Sequence, residues 1–135
     1  MIFGAFFVVI SSTLLSSTPN DSRQKDSLMN STQFDLTKLQ REQTGLWSEF
    51  LDVDSLSMGI YRVPAGTDDQ DSHAAHDRDE IYVVLEGQGK LTVEEKHYDV
   101  SKQSILFVKA GCRHHFHDVE EDLVLLVFFA GEKKN

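Results

Sequence analysis

The sequence predicts an all-β protein, a single small antiparallel β-barrel preceded by a short N-terminal helix. Three observations carry this. The chain has 135 residues, enough for one domain. Hydrophobic residues make up 40% and charged residues 26%, which supports one real core. After Gly45 the texture becomes short apolar runs separated by turn residues, with no run of crossover helices of the kind a parallel α/β sheet needs.

Residues 1–18 begin with an almost wholly apolar stretch (IFGAFFVVISSTLL at 2–15). It is shorter than the roughly 20 residues a membrane span needs. Three readings stand: an export signal with small residues Ser16 to Thr18 for cleavage, a start that truly falls at Met29, or an anchor. The first makes the protein periplasmic or secreted, and the second makes it cytoplasmic. Residues 19–34 are polar and read as a linker. Residues 35–54 hold a helix over 35–43, capped by Asp35 with Leu36 and Leu39 on one face, and a leading strand over 46–53. The barrel spans 55–130, with strands near 55–63, 70–76, 80–86, 90–95, 97–100, 104–109, 113–118 and 122–130. Turns are expected at Pro64-Ala65-Gly66, Gly87-Gln88-Gly89 and Ala110-Gly111, and 131–135 is a tail. Residues 105–108 and 123–129 are apolar on both faces, which suits the middle of a sandwich or the interface of a homodimer.

A net charge of −9, with no Lys/Arg run, argues against nucleic acid and against anionic membranes as partners of the folded body. One cysteine, Cys112, excludes an intramolecular disulfide and a Cys-rich zinc site. The six histidines all lie between positions 73 and 117. Imidazole is the commonest nitrogen ligand of transition metals, so their placement matters. If Asp77-Arg78-Asp79 is a hairpin loop, His76 and Glu80 face each other across two strands and offer an imidazole and a carboxylate on one face. His114, at a strand start and on the face of Phe116, is the natural third ligand. His73 becomes a fourth ligand if Ser72 to Ala75 bulges. His115 and His117 then face away, and His97 sits in a solvated turn. A set of strand histidines without metal is the bland alternative.

The segment from Gly66 through His76 and Glu80 to Gly87 resembles the first motif of the cupin superfamily. In that motif a His-x-His is followed after three or four residues by Glu and after six more by Gly. Gly111, His114 and Asp118 resemble the second, in which Gly, His and Asn recur at the same spacing. Ala74 stands where the first motif histidine falls, Gln103 where the second motif has its glycine and Lys109 where it has its proline. The resemblance covers about residues 55–130. It implies a jelly-roll (RmlC-like) barrel, often dimeric, holding one divalent transition metal (iron, manganese, zinc or nickel) on His76, Glu80 and His114.

Two functions follow. One is a metal-dependent enzyme acting on a small molecule, of dioxygenase, isomerase or lyase type. In that reading Tyr82 is the catalytic candidate, Arg78 guides an anion and one of Tyr61 and Arg62 faces the cavity. The other is a non-catalytic module that binds or senses a small ligand, which the mainly apolar strands favour. Arg78, flanked by Asp77 and Asp79, is alternatively just paired there. Cys112 is either a soft ligand or an inert small residue.

Overall fold

The structure is a computed structural model that describes residues 30–67 and 75–132. The export-signal segment, most of the linker, His73 and the end of the tail lie outside the described residues. Among the described residues, no helix is long and apolar enough to cross a membrane.

The expected helix forms as α1 (Leu36–Glu42). The Asp35 side chain accepts from the Lys38 amide at 3.1 Å and so satisfies one of the free N–H groups of the first turn. Strands β1 (Trp47–Val53), β2 (Leu56–Val63), β3 (Asp79–Val93), β4 (Lys96–Ser101), β5 (Ile105–Val108) and β6 (His114–Ala130) follow. All pair antiparallel in the order β1-β2-β6-β3-β4, with β5 on β3. The path does not return on itself among the described residues, so the barrel is an open jelly roll rather than a closed cylinder. Arg62 ties α1 to β2, donating to Gln43 Oε1 at 2.7 Å and to the Gln40 carbonyl at 2.8 Å.

Two expectations are corrected here. The runs 80–86 and 90–95 are one strand, β3, and the runs 113–118 and 122–130 are one strand, β6. Gly87-Gln88-Gly89 is therefore not a hairpin turn. The β3–β6 register slips between Val84 and Glu86, Glu86 and Gln88, and Gln88 and Lys90. Bulges of this kind bend a strand without ending it. Gly87 has φ +93°, and a Cβ there would lie 2.2 Å from the Asp122 carbonyl oxygen, so glycine lets the two bent strands meet. Asp118 takes the matching left-handed conformation in β6 (φ 45°). The strand expected at 70–76 falls mostly outside the described residues, and Ala75 and His76 are not in a strand.

The bend folds one half of the β3–β6 ribbon over the other, and the core fills the space between. Val63, Tyr82, Val84, Leu91, Val100, Val108, Phe116, Val119, Leu123, Leu125 and Val127 are its buried members. The apolar run of β6 is used on both faces, as the sequence suggests: Leu123, Leu125 and Val127 point into the core. On the opposite face, cross-strand pairing lines up Met58, Phe128, Ile81 and Phe107 in one row and Ile60, Leu126, Val83 and Ile105 in the next. Ile60 is buried, but Ile105, Phe107 and Ile81 are 72%, 62% and 39% exposed.

Gly87→Ala is expected to destabilise the fold by about 2–3 kcal/mol, through left-handed strain and the clash with β6. Urea unfolding monitored by circular dichroism measures it. A change under about 0.5 kcal/mol would show that the bend does not depend on this residue.

Candidate metal centre

Glu80 pairs with Phe129 near one end of the β3–β6 ladder, while His114 pairs with Val93 at the other end. In a straight strand the 13 positions from Glu80 to Val93 would span about 43 Å. The bend instead brings His114 Nε2 to 3.3 Å from Glu80 Oε2. His76 arrives from the segment before β3, with Nε2 3.4 Å from Glu80 Oε1. Its backbone is held by the turn before β6, where the Gly111 amide donates to the His76 carbonyl at 2.8 Å. This corrects the hairpin expectation. His76 and Glu80 meet because a loop is pinned, not because they face each other across a two-strand hairpin.

The three side chains form a group whose nitrogen and oxygen atoms lie within 4.8 Å of one another. Glu80 is 1% exposed and His114 5%, while the His76 side chain is 44% exposed and forms the open side. The rings of His76 and His114 are 5.6 Å apart. His114 Nδ1 lies 3.0 Å from the Cys112 carbonyl. A carbonyl only accepts, so Nδ1 carries a proton, while Nε2 faces Glu80 Oε2 and the Tyr82 hydroxyl. Cys112 thus acts through its backbone, which no side-chain reading of the sequence reveals.

Tyr82 stands beside the group. Its hydroxyl hydrogen-bonds Glu80 Oε2 and lies 2.8 Å from His114 Nε2. Glu80 Oε1 is buried and has no hydrogen-bond partner. Two imidazoles and an orphaned carboxylate oxygen around one point make a donor set that suits a divalent transition metal. Such an ion would take His76, Glu80 and His114 as ligands, with Tyr82 adjoining. Whether His73 joins them lies outside the described residues.

A cavity of about 470 Å³ opens beside the group. Tyr61, not Arg62, faces it, and Trp47, Phe116, Val127 and Phe129 supply its apolar wall. Glu49, Asp77 and Arg78 add a polar side that the apolar strand runs do not announce. Beside Arg78, Asp79 Oδ1 accepts from the Ala110 amide at 2.8 Å. Arg78 Nη2 donates to Ser57 Oγ at 2.8 Å, and its guanidinium lies 5.0 Å from the Phe129 ring centre. Nη1 is buried and has no hydrogen-bond partner.

His97, His115 and His117 are not brought to this group. They lie around Thr92, outside the core.

Comparison with known proteins agrees with this fold. The chain is 37% identical over 100 residues to the uncharacterized protein SCO3923 of Streptomyces coelicolor, covering 72% of this chain and 93% of that one. Among solved structures it resembles an RmlC-like cupin family protein with a double-stranded β-helix fold from Methanocaldococcus jannaschii. That match has a TM-score of 0.63 at 13% identity, covering 77% of this chain and 94% of that one. It also resembles the DMSP lyase DddQ of Ruegeria pomeroyi, with a TM-score of 0.55 at 23% identity over 61% of this chain. The chain spans only 41% of that lyase's length. Residues 59–129 match the family model described as the cupin domain. With that match over more than half of its length, the chain belongs to the cupin domain family.

Proposed function

We propose that the protein binds one divalent transition metal through His76, Glu80 and His114 and uses it to transform a small molecule in the adjoining cavity. The observation that carries this reading is the buried Oε1 of Glu80, which has no hydrogen-bond partner and faces the His76 imidazole at 3.4 Å, in a group that His114 completes. A carboxylate oxygen withdrawn from water costs several kcal/mol unless a cation or donor compensates it. The metal, once bound, supplies Lewis-acid polarisation of a substrate oxygen or an oxygen-activating centre. The likeness to a DMSP lyase supports the lyase class as one such use of the fold, at a level where only the fold is shared.

The chain's own residues have separable tasks. His114 is oriented by the Cys112 carbonyl. Tyr82 holds a hydroxyl proton at the cavity wall, in reach of Glu80 and His114, and is placed to pass it to or from a substrate. The aromatic wall accepts an apolar part of the ligand and excludes water from it. The second reading, a ligand-binding module without turnover, keeps the same metal and differs only in the role of Tyr82.

The full chain, purified without an affinity tag, should hold about one metal ion per chain by plasma mass spectrometry. Glu80→Gln and His114→Ala should each fall below about a tenth of that. Metal-free wild type that also takes up no added iron, manganese, zinc or nickel would overturn the proposal. Tyr82→Phe should keep the metal while turnover falls at least about 100-fold. Tyr82→Phe turning over at the wild-type rate would remove its catalytic role. A wild type that binds small ligands and returns them unchanged would establish the second reading.

We also infer that the exposed face of Ile81, Ile105 and Phe107 is covered by a second copy of the chain. None of the eight residues in its two rows is charged, so two copies of an acidic protein can meet there without burying like charges. Sedimentation equilibrium should give twice the 15.3 kDa chain mass, and Phe107→Asp should give the monomer. A monomeric wild type would contradict the inference.

A further inference from the structure

Among the described residues, the three histidines outside the metal centre lie around Thr92, two of them on its hydroxyl. Thr92 pairs with His97 on β4 and with His115 on β6, so the three side chains form a cross-strand row. His117, two residues along β6, shares the face of His115, and their ring centres are 5.0 Å apart. The rings of His97 and His117 are 6.4 Å apart. His97 Nδ1 lies 2.8 Å and His117 Nε2 lies 2.7 Å from Thr92 Oγ1. Leu91 and Phe116 point into the core, so this face is the opposite one from that of His114.

The proton arrangement leaves lone pairs available. His117 Nδ1 is 3.3 Å from Asp118 Oδ2. A carboxylate accepts, so Nδ1 holds the proton and Nε2 is bare. The single Thr92 proton then goes to His117 Nε2, and Thr92 Oγ1 accepts from His97 Nδ1–H. That leaves Nε2 of His97, an exposed residue, bare, while His117 Nε2 accepts from Thr92. Carboxylate behind imidazole is the arrangement that orients and strengthens a histidine ligand. A second cavity of about 250 Å³, lined by Thr92, Glu94, Arg113 and His115, adjoins the cluster. Glu94 is occupied there, its Oε1 accepting from the Arg113 amide at 2.7 Å, and Lys90 lies 3.8 Å from Asp118 Oδ2.

We propose that His97, His115 and His117 form a second metal site, for a borderline divalent ion of the zinc, nickel or copper kind, on the outer face of the sheet. Three imidazoles and no free carboxylate select such an ion over magnesium or calcium. Binding requires His117 Nε2 to leave the Thr92 hydroxyl, which the partial exposure of His117 permits. The site is independent of the inner centre and stands whether or not that centre is catalytic.

The test is a zinc titration of the full chain, untagged, at pH 7.5. Wild type should bind about two ions, the outer one with a micromolar Kd, and Glu80→Gln should retain only the outer one. His115→Asn/His117→Asn should lose the outer ion, its affinity falling at least about tenfold, while keeping the inner one, which also reports that the variant folds. His97→Gln should weaken it by a similar factor. Nickel added to the Glu80→Gln protein should broaden the ring signals of His97, His115 and His117 in the NMR spectrum. No outer ion at micromolar zinc, or an outer ion undisturbed by the double substitution, would overturn the proposal.

Discussion

The structure turns on one buried carboxylate. Glu80 is shut off from water, yet only one of its two oxygens has a hydrogen-bond partner. Leaving a carboxylate oxygen buried and unpaired is among the more expensive things a small domain can do. Its surroundings make sense of the cost. Two imidazoles face it, one oriented by a backbone carbonyl on its far nitrogen, and a phenol hydrogen-bonds Oε2. The two imidazoles and the carboxylate are a donor set that suits a divalent cation, with the His76 side open to the cavity.

Bringing them together is a problem of strand geometry. His114 and Glu80 belong to opposite ends of the same ladder, so only a ribbon doubled on itself puts them in contact. The doubling depends on a few unusual backbone positions. Gly87 allows β6 to pass where a side chain would collide, and Asp118 takes a left-handed turn within β6. Gln103, at the place where the cupin motif carries glycine, has φ +77°. It is held by hydrogen bonds between β3 and the turn before β5, with its amide on the Val84 carbonyl at 2.9 Å. The same chain segments therefore set both stability and site geometry.

Much of this was legible in the sequence. The short apolar runs and glycine-rich turns announced an antiparallel all-β body, and the spacing of His76, Glu80 and His114 picked out the residues the fold converges. The doubly apolar run in β6 sends Leu123, Leu125 and Val127 into the core and Leu126 and Phe128 to the opposite face. What escaped was non-local. Gly87 and Gly89 read as a hairpin turn because periodicity cannot separate a bulge from a turn when both need a positive φ or a missing side chain. The His76–Glu80 contact was right for the wrong reason, since the hydrogen bond that pins His76 comes from Gly111. Arg78 sits beside two aspartates in the sequence, and the folded chain adds Ser57 and Phe129 to its surroundings. The role of Cys112 is carried by a carbonyl, which has no signature in residue type.

The most direct test of the account is anomalous X-ray diffraction from crystals of the metal-loaded protein, with data collected at the absorption edge of the bound ion. The account predicts an anomalous peak bonded to Glu80 Oε1, His76 and His114 Nε2, at the roughly 2.0–2.2 Å typical of such ligands. The Cys112 carbonyl should still hold His114 Nδ1. A fully loaded crystal whose peak lies away from Glu80, or whose Glu80 Oε1 is satisfied by a protein donor with no ion beside it, would contradict the central claim.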